Sequence, residues 1–92
     1  MKYQLALTGS FKKGLKASKK RGLNIGLLDA VVDKLLSGMP LEAKYKDHAL
    51  KGKWNGFREC HIQPDWLLIY LVEDDILTLT LVETGTHTDL FL

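Results

Sequence analysis

The chain has 92 residues, 46% of them hydrophobic and 26% charged. That suits one modest domain, residues 1–92, since so short a chain buries only about 60–70% of the surface its unfolded form exposes. Charge is polarised, with +8 over residues 1–53 and −6 over residues 54–92 for a net +2, a split that suits an anionic partner such as RNA for the basic half.

No apolar run reaches the roughly 20 residues a membrane-spanning helix needs, so no membrane association is expected. Lys2 and the polar Thr8–Ser10 stretch argue against a signal peptide, and the lone Cys60 has no partner for an internal disulfide. A cytoplasmic protein is the expectation.

Tyr3 to Leu7 alternates weakly and predicts a first strand. Ser10 is the expected N-cap of a helix over Phe11 to Arg21, weakened by Gly14 and ended by Gly22. Asn24 is the next N-cap candidate. From Ile25 to Leu36, Leu28, Val31, Val32, Leu35 and Leu36 recur at three- and four-residue spacing, which predicts an amphipathic helix stopped by Gly38 and Pro40. Leu41 to Asn55 has no clean period and reads as a long basic loop.

Three strands then follow, at Gly56–Ile62, Trp66–Val72 and Ile76–Val82, with turns at Gln63-Pro64-Asp65 and Glu73-Asp74-Asp75. Trp66 to Val72 is apolar on both faces, as in a central strand, whereas Leu77, Leu79 and Leu81 alternate with threonines. The tail from Gly85 holds at most a strand end or one turn. The predicted fold is α+β: β-α-α-β-β-β, an antiparallel sheet with an N-terminal helical hairpin packed on one face.

Chemistry concentrates on the histidines. His48 stands in the basic loop beside Asp47, His61 and Asp65 bracket a turn, and His87 follows the last strand. In a meander, the first and third strands run parallel to each other, so His61 and the Gly85-Thr86-His87 segment should meet at one end of the sheet. Histidine exchanges protons near neutral pH. Cleavage of RNA without a metal needs a base for the ribose 2′-hydroxyl, an acid for the leaving 5′-oxygen and a cation for the phosphate, and these residues can supply all three. Lys46, Lys51, Lys53 and Arg58 are candidates for holding the backbone, and Trp66 and Phe91 for stacking on bases. Arg58 and His61, three apart, face opposite sides of a regular strand. Three histidines and a water could also make a catalytic zinc site, but no His-x-His or His-x-x-x-His spacing supports one. There is no glycine-rich phosphate loop, and no cofactor is expected.

Along nearly its whole length the chain resembles the YafQ branch of the RelE-type bacterial toxins. The resemblance rests on Tyr45-Lys46-Asp47-His48 with Leu50, Gly52 and Trp54, on Phe57-Arg58 with His61, Pro64, Asp65 and Trp66, and on Thr84-Gly85-Thr86-His87 with Leu90-Phe91. It implies a toxin that enters the ribosomal A site and cleaves the messenger RNA there. It also implies a cognate antitoxin, with a heterotetramer built on an antitoxin dimer as the assembly. The catalytic set it implies is His48, His61, Asp65 and His87, with His87 as general acid, Phe91 shaping the site and Trp66 adjoining it. Relatives of this branch commonly carry an arginine where this chain has Glu83. That departure motivates a second reading, an RNA- or antitoxin-binding module of the same fold with weak or lost nuclease activity.

Overall fold

Strand Trp66–Glu73 sets the frame, because its residues from Trp66 to Tyr70 are buried whichever face they point to. The computed structural model, which describes residues 1–91, places this strand at the centre of a five-stranded sheet. In chain order the elements are β1 (Gln4–Leu7), α1 (Gly9–Lys20), α2 (Ile25–Leu36), β2 (His48–Ala49), β3 (Arg58–Gln63), β4 (Trp66–Glu73), β5 (Thr78–Gly85) and α3 (His87–Phe91). Short 3-10 turns at Ala43–Tyr45 and Gly52–Trp54 flank β2. The sheet order is β1-β5-β4-β3-β2.

Helix α2 follows its sequence pattern. Leu28, Val31, Val32, Leu35 and Leu36 are all buried against Cys60, Ile62 and Leu68 of the sheet. Burying one such side chain is worth about 1.5–3 kcal/mol, against helix preferences of a few tenths, so packing rather than propensity positions this helix. Asn24 caps it through Oδ1, which accepts the Gly26 amide at 3.0 Å. Gly38 ends it at φ 74°, with the Met39 amide returning to the Lys34 carbonyl.

Helix α1 is capped by Thr8 rather than Ser10: Thr8 Oγ1 accepts the Phe11 amide at 2.9 Å. Thr8 also donates to the Val82 carbonyl, so the cap that starts α1 is tied to β5, a long-range contact that sequence spacing does not encode.

Strand directions depart from the expected antiparallel sheet in one place. The β2-β3, β3-β4 and β4-β5 pairs are antiparallel, but β1 lies parallel to β5, from Gln4 opposite Thr78 to Leu7 opposite Leu81. A parallel pair needs a long crossover, and here everything from α1 to β4 forms it. The expected loop over residues 41–55 also contributes β2, which pairs with β3 through His48 opposite Glu59 and Ala49 opposite Arg58. The last strand starts at Thr78 rather than Ile76, because Leu77 turns into the left-handed region at φ 48° and stays exposed. The tail forms the single turn α3.

Gly14 has a packing reason. A Cβ there would stand 2.2 Å from the Thr84 carbonyl oxygen, so α1 lies against the β5 backbone only because position 14 is bare. Alanine gains about 1 kcal/mol of helix propensity over glycine, but overpacking against a backbone atom costs about 1–3 kcal/mol. Gly14→Ala is therefore expected to lower the urea midpoint despite the better helix former. A raised midpoint would show that α1 can slide away from β5 freely.

Candidate active site

Strands β3 and β5 both run antiparallel to β4, so their C-terminal ends share one end of the sheet. His61 sits near the end of β3, Pro64 and Asp65 turn the chain into β4, and His87 opens α3 directly after β5. The His61 and His87 rings lie 5.6 Å apart, centroid to centroid, and His48 on the edge strand β2 lies 6.5 Å from His61. All four expected catalytic residues are thus brought to one place.

Each imidazole is held the same way, by its Nδ1. His87 Nδ1–H donates to Asp65 Oδ1 at 2.6 Å, His48 Nδ1–H to the Lys46 carbonyl at 2.7 Å and His61 Nδ1–H to the Pro64 carbonyl at 3.3 Å. A carbonyl or carboxylate can only accept, so these contacts assign the proton to Nδ1 and turn each Nε2 away from that anchor. Asp65 also accepts the His87 backbone amide at 3.0 Å. That amide, and then the ring N–H, hold the Asp65 carboxyl below the usual carboxylate range.

Glu59 joins the group, and the sequence reading passed over it. It is buried, at 5% exposure, and its Oε1 lies 3.5 Å from Nε2 of both His48 and His61. Its Oε2 has no hydrogen-bond partner among the described residues. The signal was present: Glu59 and His61 are two apart on a strand and must share a face. These contacts become ion pairs whenever either imidazole takes a second proton.

A second support lies behind α3. Asp89 Oδ2 accepts from the Thr86 amide at 3.0 Å, and the Asp89 amide donates to Thr86 Oγ1 at 3.1 Å, a reciprocal cap. Arg21 from the end of α1 donates to the same Asp89 oxygen at 3.0 Å. Arg21, then the Thr86 amide, hold the Asp89 carboxyl below its usual range. These contacts fix the one-turn helix whose first residue is His87.

Beside His61 and His87 opens a cleft of about 680 Å³, with Lys44 and Lys46 on its wall. Residues 3–92 match the sequence model of a family described as the bacterial toxin of a type II toxin-antitoxin system, YafQ.

The chain belongs to the YafQ toxin family.

The mRNA interferase toxin YafQ of Escherichia coli K12 is 40% identical over 85 residues, covering 91% of this chain and 90% of that protein. YafQ in the E. coli DinJ-YafQ complex superposes with a TM-score of 0.90 at 37% identity, covering 98% and 99% of the two chains. A metal-bound toxin from Helicobacter pylori gives a TM-score of 0.92 at 44% identity, covering 97% and 99%. Among the described residues of this chain, no group of three or more His, Cys, Asp or Glu side chains is spaced to hold a metal ion. No helix is long and apolar enough to cross a membrane.

Not every expected YafQ site residue reaches the cleft. Trp66 is 2% exposed, its indole N–H donating to Thr84 Oγ1 at 3.0 Å, so its ring belongs to the core and offers no face to a base. Arg58 does lie opposite His61 in the strand alternation; it donates to Asp47 Oδ2 at 3.2 Å, and Asp47 also accepts from the Tyr70 hydroxyl. Its charge is committed to pinning the β2 loop. Lys46 lines the cleft, Lys51 and Lys53 are exposed beyond it, and Phe91 is exposed on α3. Glu83 lines a separate groove beside α1, with Lys13 and Arg21, rather than the histidine cleft. Cys60 is fully buried and its thiol is pushed up to about 12, chiefly by burial, which removes it as a nucleophile.

Asp65 and Asp89 both titrate below the ordinary 3.8 in the folded chain. Their contribution to stability is complete above that unfolded value and is lost as pH falls through the lower folded ones. The double variant Asp65→Asn, Asp89→Asn is expected to flatten the acid limb of stability below about pH 4, read as urea midpoint against pH. An unchanged acid limb would show that neither carboxylate is engaged in solution.

Proposed function

We propose that this chain cleaves messenger RNA in the ribosomal A site by acid–base catalysis carried by its own side chains. A YafQ-family toxin is an endoribonuclease of the mRNA interferase class; the proposal concerns the ribosome, the residues and their roles. The observation that supports it is the 5.6 Å approach of His61 and His87, both held through Nδ1, with Glu59 Oε1 3.5 Å from Nε2 of His61.

His61 is the general base. It takes the proton of the ribose 2′-hydroxyl on Nε2, and Glu59 Oε1 at 3.5 Å balances the positive charge that develops. The 2′-oxygen attacks the adjacent phosphorus, the bond to the 5′-oxygen breaks, and a 2′,3′-cyclic phosphate forms. His87 is the general acid, giving an Nε2 proton to the departing 5′-oxygen. Asp65 is a poor base, because two N–H groups of His87 hold its carboxyl ionised. Its role is to orient His87 and offset the imidazolium charge. Protonated His48, with Lys46, stabilises the negative phosphate oxygens.

The binding-module reading took its motive from Glu83, and Glu83 lines a groove outside the histidine cleft. The nuclease reading is therefore the better supported. A cognate antitoxin is the expected partner, as DinJ is for the E. coli toxin. A disordered antitoxin segment that folds on binding would suit the basic half of the chain, with a heterotetramer on an antitoxin dimer as the assembly. The domain spans residues 1–92 and acts in the cytoplasm, where translating ribosomes are.

His87→Ala is expected to reduce cleavage of a defined messenger RNA by at least about 100-fold while leaving antitoxin binding intact. The assay compares reactions with and without translating ribosomes, with a zinc-selective chelator present throughout and magnesium kept at the level ribosomes need. Full activity in the variant would refute the role of His87, and loss of wild-type activity in chelator would move the mechanism to a metal.

A further inference from the structure

The cleft beside His61 and His87 is larger than catalysis at a single phosphate requires. Its 680 Å³ lies within the 300–1,000 Å³ typical of small-ligand sites. Its lining includes Leu27 from α2 and the half-buried Tyr45. The buried Ile62 also borders it.

The strand beside it is irregular at the same place. His61 pairs with Leu67 but Gln63 pairs with Trp66, so β3 carries an extra residue here. In a regular strand, neighbouring side chains point to opposite faces. Here His61, Ile62 and Gln63 all line the cleft. A bulge beside an active site commonly re-aims a side chain, and Gln63, the residue at this one, carries an amide and lines the cleft. Gln63 is exposed and makes no side-chain hydrogen bond among the described residues.

We propose that this cleft receives a nucleobase flanking the scissile phosphate and that Gln63 is the residue that reads it. The inference rests on the nuclease reading and adds to it a specificity pocket. Tyr45 supplies the stacking surface, and Lys44, whose Nζ lies 5.1 Å from the Tyr45 ring centre, supplies positive charge beside it. An unstacked RNA base exposes its Watson–Crick and Hoogsteen edges, and each of those edges presents donors and acceptors in its own order. The Gln63 carboxamide carries one acceptor oxygen and two N–H donors, so it can engage a base edge at two points. Such a bidentate contact discriminates between bases by about 1–3 kcal/mol, or roughly 5- to 150-fold.

The test is cleavage of a codon-randomised messenger RNA by the full chain with translating ribosomes, cut ends being mapped by sequencing. The unsubstituted chain is expected to favour one base at a fixed position beside the cut. Gln63→Leu should flatten that preference, with cleavage at the favoured base falling about tenfold and at the other bases less. Gln63→Glu, which only accepts, should shift preference toward bases that present an amino group. Tyr45→Ala should lower cleavage at all bases together without flattening the profile. Melting temperatures of the variants guard against a loss of fold. An unaltered base profile in both Gln63 variants would overturn the pocket while leaving the nuclease standing. No cleavage by the unsubstituted chain would overturn both.

Discussion

Thr84 is the point on which the structure turns. Its hydroxyl accepts the Trp66 indole N–H and donates to the Leu67 carbonyl at 2.7 Å, locking β4 to β5 across the buried sheet. Its carbonyl oxygen lies where only a bare Gly14 lets α1 approach. One residue thereby fixes the register of the two longest strands and the seat of the first helix. That register decides whether His87, three residues on, arrives beside Asp65 and His61. A one-residue slip would turn every side chain of β5 to the other face. The histidine cluster lies at the open end of the sheet, but its placement is determined by a contact that excludes water.

Local periodicity carried much of the fold. The five apolar positions of α2 and the two-sided burial of β4 are properties of short windows, and both appear in the structure as the sequence predicts. What the windows lack is direction and distance. The parallel pairing of β1 with β5 joins residues 74 positions apart, from Gln4 to Thr78, and no hydrophobic pattern distinguishes a parallel neighbour from an antiparallel one. The Thr8 cap was missed for a related reason. Ser10 and Thr8 are both good caps in isolation, and the choice is made by the Thr8 contact to Val82. β2 is two residues long and exists because β3 offers it an edge, so it leaves no periodic trace.

The candidate site divides in the same way. Strand topology alone was enough to bring His61 and His87 to one end of the sheet. Trp66 was misread because an aromatic residue near catalytic groups looks like a stacking platform, whereas the indole N–H needed a buried partner and found Thr84. Arg58 followed the strand alternation away from the cleft and paired with Asp47. Glu59 could have been read from its two-residue spacing to His61, but a glutamate in an acidic half of the chain carries no mark of burial. Arg21 and Asp89 are 68 positions apart, and only the fold makes them neighbours.

Glu59 has a cost that explains its value. A buried polar group without a hydrogen-bond partner destabilises a fold by about 1–3 kcal/mol, and Glu59 Oε2 is such a group. A hydrophobic side chain at the same point of β3 would pack against Ile69, its neighbour in register, without that cost. Its favourable contacts are to His48 and His61, and these become ion pairs only when an imidazole is protonated. The residue is therefore placed to meet positive charge on either imidazole rather than to support the resting sheet. In the mechanism proposed above, that charge arises on His61 as the 2′-oxygen attacks. A carboxylate preorganised in a water-poor setting meets the charge without first having to reorient solvent. Burial, which makes Glu59 a poor structural residue, is thus what suits it to be the electrostatic partner of the proposed base.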